Sequence, residues 1–175
     1  MSVAKRPSIH LRVARPDDTP DINEIYNQAI GLRFATADLE PITLAAREAW
    51  MADHPSSHYP VYVAEVGTRL AGWCSLSPYR PGRGALRTTA EISFYTHLAF
   101  LKTGIASALI HHAIGNAPEL GLTHLFAIVL DINEPSLALL RKFQFEQWGH
   151  LPGVASIDGR SCGHLYLGRR LRMES

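Results

Sequence analysis

Short runs in which apolar and polar residues alternate are interleaved along the chain with runs whose apolar positions recur every three or four residues. That order predicts a layered α/β, or mixed α+β, domain. Ile9 to Ala14 alternates as a half-buried strand does, and Pro16-Asp17-Asp18-Thr19 supplies capping residues ahead of Ile22, Ile25, Tyr26, Ala29 and Ile30 at helical spacing. Glu40-Pro41 followed by Ile42 to Ala52 predicts a second helix, with Pro41 in its first turn. Val61 to Val66 and Leu70 to Leu76 are β-rich runs parted by Gly67-Thr68-Arg69, so they are expected to pair as an antiparallel hairpin.

Beyond a loop rich in Gly, Pro and Arg (Ser77 to Arg87), Glu91 to Leu98 predicts a fourth strand. Gly104 then opens a third helix whose apolar face is Ala106, Leu109, Ile110, Ala113 and Ile114. Leu122 to Leu130 reads as a fifth strand, Glu134 to Lys142 as a fourth helix, and the last two strands are expected near Phe145 to His150 and His164 to Leu171. No internal repeat or low-complexity tract interrupts this order. A single domain over residues 8–172 is expected, preceded by a flexible segment at residues 1–7.

Composition narrows the function classes. With 46% hydrophobic and 19% charged residues, the chain has neither the signature of disorder nor a run long enough for a membrane span. Lys and Arg total 17 against 16 Asp and Glu, so the basic excess of a nucleic-acid binder is missing, and neither nucleic acid nor membrane is an expected partner. Lys5 and Arg6 are followed by no apolar run of the secretory type, and the expected location is the cytoplasm. Cys74 and Cys162 match no disulfide or zinc spacing and read as packing residues. The histidines show no metal-ligand spacing either: His111 and His112 are adjacent on a helix and face different directions, while His54 and His58 lie across a proline, so no metal is expected.

The chemistry concentrates at Leu101-Lys102-Thr103-Gly104-Ile105-Ala106. A helix that starts directly after a glycine-bearing turn presents unpaired N–H groups and the positive end of its dipole, which together make an anion site. Gly104 and Ala106 let a pyrophosphate approach the backbone and Lys102 adds a positive charge, although a glycine before a helix is also ordinary turn chemistry. Upstream, Glu91 is a strand-end carboxylate able to take a proton from a substrate ammonium, directly or through water; its bland reading is an exposed surface acid. Arg80, Arg83 and Arg87, on the loop before that strand, can offer guanidinium forks to a carboxylate or phosphinate, or remain solvated surface charges.

The turn at 101–106 resembles the acetyl-CoA motif of the GNAT superfamily, R/Q-x-x-G-x-G/A, matching at Gly104 and Ala106 and departing at Leu101. From Val13 to about Leu167 the chain is similar to the phosphinothricin and methionine sulfoximine acetyltransferase branch, on its element order, the Ala64-Glu65-Val66 to Ala71-Gly72-Trp73 hairpin, Glu91 and Asp131-Ile132-Asn133-Glu134-Pro135-Ser136. The resemblance implies a GNAT-type fold: a mostly antiparallel sheet of about seven strands, splayed between strands four and five and flanked by about four helices. It implies transfer of the acetyl group of acetyl-CoA to the amino group of a small amino-acid-like substrate, such as phosphinothricin, methionine sulfoximine or another glutamate analogue, by direct attack with Glu91 as general base. The implied acetyl-CoA contacts are Phe94, Tyr95 and Thr96 on strand four, Lys102, Thr103, Gly104, Ile105, Ala106 and Ser107 at the turn, Asn133 against the pantetheine arm, and Lys142. Substrate contacts would come from Arg80, Arg83, Arg87 and Glu91, and a homodimer follows by analogy. A family histidine in helix four is replaced here by Leu140 and a nearby aspartate by Gly163. Those two changes and Leu101 keep open a catalytically inactive acyl-CoA-binding sensor, and an acetyltransferase for a protein N-terminus or another amine is the other alternative.

Overall fold

The structure, a computed structural model, describes residues 8–171, so the segment expected to be flexible at residues 1–7 lies outside the described residues. Strands β1 (Ile9–Val13), β2 (Val61–Val66), β3 (Arg69–Pro78), β4 (Thr89–Thr96), β5 (His124–Leu130), β6 (Glu146–Ile157) and β7 (Arg160–Arg170) form one seven-stranded sheet in the order β1-β2-β3-β4-β5-β7-β6. Every neighbouring pair is antiparallel except β4 with β5. The helices are α1 (Thr19–Gly31), α2 (Leu44–Ala52), α3 (Ile105–Asn116) and α4 (Glu134–Lys142). The mixed α/β architecture, with seven mostly antiparallel strands and four α-helices, is therefore as expected, and the structure adds that β4 and β5 pair in parallel where the sheet was expected to splay.

Both faces of the central strands are covered, which is why β2 and β3 read as near-continuous apolar runs. One face packs Val61, Val63 and Trp73 against Ile22 and Ile25 of α1, with Trp50 and Met51 of α2 alongside. The opposite face packs Tyr62, Ala64, Cys74, Leu76 and Ile92 against α3 and against Leu137 and Leu140 of α4. Both cysteines are free and buried.

Several boundaries differ from the pattern-based expectation: β4 runs Thr89–Thr96 instead of Glu91 to Leu98, β5 starts at His124 instead of Leu122, and the larger differences lie at α2 and in the last two strands. Helix α2 starts at Leu44, not Ile42, because the Thr43 hydroxyl accepts the Ala46 N–H at 3.2 Å and caps the helix there, leaving Pro41 outside. The last two strands are longer than expected, and the segment 151–163, to which the sequence pattern assigns no element, is the body of a hairpin. Pro152 and Gly153 obscured it: both are strand breakers in a central position, but β6 is an edge strand and absorbs them in a bulge between Leu151 and Ala155.

The parallel pairing of β4 with β5 is brief. It runs through Thr89↔His124, Ala90↔Leu125 and Glu91↔Phe126, after which β4 continues to Thr96 and β5 to Leu130 without each other. On its other side β4 stays in unbroken register with β3 as far as Gly72↔Thr96. The strand is thus splayed without a bulge, and α3 lies across the fork. At Gly72 a Cβ would lie 2.7 Å from Ile105 Cγ2 and 2.8 Å from the Tyr95 carbonyl oxygen, so the absence of a side chain lets α3 rest on β3. Gly72→Ala should cost about 1–3 kcal/mol of stability by overpacking, read as a lower urea midpoint at unchanged slope; an unchanged midpoint would show that α3 has room to shift.

Candidate active site

In the antiparallel β3–β4 ladder, Trp73↔Tyr95, Ser75↔Ser93 and Ser77↔Glu91 are directly opposite pairs on one sheet face. They floor a cavity of about 490 Å³ roofed by Tyr26 of α1 and by Arg47 and Trp50 of α2. Glu91 is half-buried here, and desolvation pushes its carboxyl above the ordinary value of 4.5. His54, stacked on Trp50, places Nδ1 2.7 Å from the Trp50 carbonyl and Nε2 2.8 Å from the Ser77 hydroxyl. Because a carbonyl can only accept, neutral His54 carries its proton on Nδ1, and Ser77 donates to Nε2. Burial holds the imidazole pKa below its ordinary 6.5, which favours that neutral form.

A second cavity, of about 530 Å³, occupies the fork between β4 and β5. The His97 N–H bonds the Ala71 carbonyl at 2.9 Å, and this sets the alternation along β4: Tyr95 and Ser93 turn their backbone groups to β3. Phe94 and Thr96 therefore turn theirs toward β5, where pairing has already ended. Gly104, at φ 95°, starts α3 from a left-handed turn that disfavours any residue with a Cβ. No side chain caps α3, so the first-turn N–H groups of Ile105, Ala106 and Ser107 open into the fork without an intrahelical acceptor. Asn133 closes the opposite wall. It is buried, and its Oδ1 accepts the Ser136 N–H at 3.2 Å, capping α4 and leaving its Nδ2 donors free of that bond. Tyr95 lines both cavities and forms the partition between them.

Most residues expected to contact acetyl-CoA meet in this second cavity: Phe94, Tyr95 and Thr96 from β4, Lys102, Gly104, Ile105, Ala106 and Ser107 from the turn, and Asn133. Thr103 is not among its lining, because its hydroxyl turns back to the Phe100 carbonyl at 2.6 Å, and neither is Lys142, exposed in the last turn of α4. The arginines also fall elsewhere. Arg80, Arg83 and Arg87 are exposed and outside the lining of the Glu91 cavity; a short helical turn at Gly84–Leu86 lifts this loop off the sheet, and Arg87 Nη1 bends back to the Gly84 carbonyl at 3.5 Å. Leu140 is fully buried core. Gly163 sits where a Cβ would lie 2.7 Å from Asp131 Oδ2 and 2.8 Å from His150 Nε2, so those side chains fill the space another residue would need.

The sequence reading passed over Arg47 and the aromatic residues around it. Their one signal was Arg47 and Trp50 three apart on the second helix, hence on the same face. It also missed Arg33, which binds Asp158 at the tip of the β6–β7 hairpin and the Leu39 carbonyl at 2.9 Å, holding down the segment whose Phe34 and Ala35 line the fork.

Comparison with known proteins bears on what these cavities hold. The Acetyltransferase (GNAT) family matches residues 20–145. YwnH of Bacillus subtilis (strain 168), provisionally named a phosphinothricin acetyltransferase, is 40% identical over 162 residues, which are 92% of this chain and 98% of that protein. The L-methionine sulfoximine/L-methionine sulfone acetyltransferase of Pseudomonas aeruginosa (strain PAO1) is 32% identical over 154 residues, covering 87% of this chain and 89% of its own length. A crystal structure of a GNAT superfamily phosphinothricin acetyltransferase from Sinorhizobium meliloti, in complex with acetyl-CoA, superposes with a TM-score of 0.88 at 27% identity, over 93% of this chain and 88% of that one.

The strain that any Cβ brings at the Gly104 backbone yields a test of the fork. Gly104→Val should weaken CoA binding about tenfold or more in calorimetry, because a residue forced into the left-handed region costs on the order of 1–3 kcal/mol and relaxes by moving the amides. Unchanged affinity in a folded variant would remove the turn as the phosphate site.

Proposed function

Since the chain belongs to the acetyltransferase (GNAT) family and is an acetyl-CoA-dependent N-acetyltransferase, we propose that it acetylates the amino group of a small amino-acid-like substrate bound beside Glu91, with Glu91 as the general base. The observation that carries this reading is the position of Glu91: the last rung at which β4 still pairs with β5, in a desolvated cavity separated from the fork only by Tyr95. A carboxylate there would face the reacting end of acetyl-CoA bound with its phosphates at the start of α3, which supports the reading.

The residues divide the work as follows. The N–H groups of Ile105, Ala106 and Ser107 and the α3 dipole hold the pyrophosphate, with Lys102 beside them. Asn133 Nδ2 donates to an amide carbonyl of the pantetheine arm. Acetyl-CoA supplies the acetyl group as a thioester. Glu91 takes the proton that the substrate ammonium must lose before its nitrogen can bond to the acetyl carbon. The N–H groups of Phe94 and Thr96, turned toward β5 beyond the last β4–β5 rung, would be available to the acetyl oxygen as negative charge builds there. As the C–N bond forms, the C–S electron pair leaves on sulfur, and a thiol pKa of about 8.5 makes that departure possible with little acid assistance. Loss of a histidine at position 140 is therefore compatible with turnover. A thiol-release assay with acetyl-CoA and a panel of amino acids and their sulfone, sulfoximine and phosphinic analogues tests the whole reading; acetyl-CoA binding without release for any amine would leave the sensor alternative.

Glu91→Gln keeps size and removes basicity, so kcat/KM at neutral pH should fall by about 10² to 10⁴ while acetyl-CoA affinity is retained. The deficit should shrink as pH approaches the amine's own pKa. The parent's kcat/KM should rise with pH through an acidic limb lying above 4.5, the direction in which burial moves this carboxyl, and that limb should vanish in Glu91→Gln. Stability runs the opposite way. A carboxyl whose folded pKa is raised binds more protons folded than unfolded, so folding stability is lost as pH rises from the unfolded value through the folded one. Glu91→Gln should accordingly raise the neutral-pH Tm while it lowers activity; a variant that is less stable and fully active would make Glu91 a structural residue.

A further inference from the structure

Arg47 is 5% exposed, and its Nε is buried with no hydrogen-bond partner among the described residues. The guanidinium carbon lies 4.5 Å from the centre of the Tyr26 ring, 4.9 Å from Trp50 and 5.5 Å from Trp73. Aromatic faces attract the cation, but they cannot accept the N–H bonds that point outward in the guanidinium plane. The one carboxylate on the same cavity wall besides Glu91 is Asp38, and the Tyr26 hydroxyl binds it. Glu91 does not neutralise the charge either: among the described residues no ion pair joins it to Arg47, and Arg47 forms none with any other carboxylate. Burying a cation in this way is costly unless something completes it. Glu91 and Arg47 thus share one cavity of about 490 Å³ and do not pair with each other.

We infer that Arg47 is the receptor for the substrate's α-carboxylate, so that the site binds a zwitterion with its ammonium at Glu91 and its carboxylate at Arg47. This rests on the substrate reading above and narrows it to free α-amino acids and their analogues. The guanidinium fork matches a carboxylate in two parallel bonds, and the rings that sandwich it pre-set its orientation. The aromatic walls take an apolar or sulfone-bearing side chain, while the serine hydroxyls of the ladder lie beneath the amino group. A protein N-terminus has no α-carboxylate at its first residue and leaves Arg47 unanswered.

The test uses L-methionine sulfone and 3-(methylsulfonyl)propan-1-amine, which differ by that carboxylate, each titrated calorimetrically with CoA present and each assayed for thiol release with acetyl-CoA. The parent should prefer the amino acid by about 10- to 100-fold, the span expected when a hydrogen-bonded charge loses its partner. Arg47→Gln should lose that preference through weaker amino-acid binding, with amine binding and acetyl-CoA affinity little changed, and Arg47→Lys should keep part of it because the charge remains without the fork. If Arg47→Gln does not fold, the parent's own preference and Arg47→Lys decide the matter. A parent that treats the two ligands alike, or an Arg47→Gln variant that weakens both equally, overturns the assignment. Turnover of both ligands without preference would refute the Arg47 inference and leave the acetyltransferase reading standing. Carboxylate-dependent binding that Arg47→Gln abolishes, with no turnover of either ligand, would support the Arg47 assignment and remove the activity.

Discussion

Two strands that pair in parallel only from Thr89↔His124 to Glu91↔Phe126 must part beyond that rung, and parted strands leave backbone groups that water or a ligand has to satisfy. β4 cannot follow β5, because it is held to β3 in continuous register as far as Thr96. β5 cannot follow β4, because β7 holds it from His124 to Leu130. The fork is a consequence of both strands having better partners on their outer sides. Into it open the N–H groups of Phe94 and Thr96, the uncapped start of α3 and the buried amide of Asn133, a set of donors that suits a ligand rich in acceptors.

The same strand that opens the fork on one edge floors the Glu91 cavity, the proposed amine site, on one face. Alternation along β4 puts Glu91, Ser93 and Tyr95 together, and register with β3 sets Ser77, Ser75 and Trp73 opposite them. Tyr95 lines both cavities, so the proposed sites for acetyl donor and acceptor meet at this residue. Two unneutralised charges, the carboxyl of Glu91 and the guanidinium of Arg47, are kept in the cavity over the β3–β4 ladder at a cost to folding. Their environment raises the proton affinity of the first and leaves the Nε of the second unpartnered among the described residues, the arrangement from which the zwitterion receptor is inferred.

Several elements were legible from local pattern because their determinants are local. The hairpin turn at Gly67, which adopts φ 61°, and the left-handed turn at Gly104 are positions where the backbone needs glycine. Apolar spacing in α1, α3 and α4 and the β-rich runs of β2, β3 and β5 follow directly from what each face must bury. The β6–β7 hairpin was not legible, since Pro152 and Gly153 argue for a loop until it is known that β6 has a free edge. Nor were the loop arginines: a sequence puts Arg80, Arg83 and Arg87 near Glu91 along the chain, whereas the turn at Gly84–Leu86 carries them into solvent.

By itself, then, the sequence determined the α/β class, the order of elements, the glycine turn that starts α3, and the carboxylate at position 91 of the fourth strand. These depend on periodicity, on conformations only glycine adopts freely, and on spacing within a contiguous stretch. Tertiary structure alone decided where β4 and β5 part, which side of the sheet each cavity occupies, and that Arg47, forty-odd residues from Glu91 along the chain, shares its cavity. An arginine's chemistry depends on whether water or three aromatic rings surround it, and that environment is assembled from α1, α2 and β3, segments that meet only when the chain has folded.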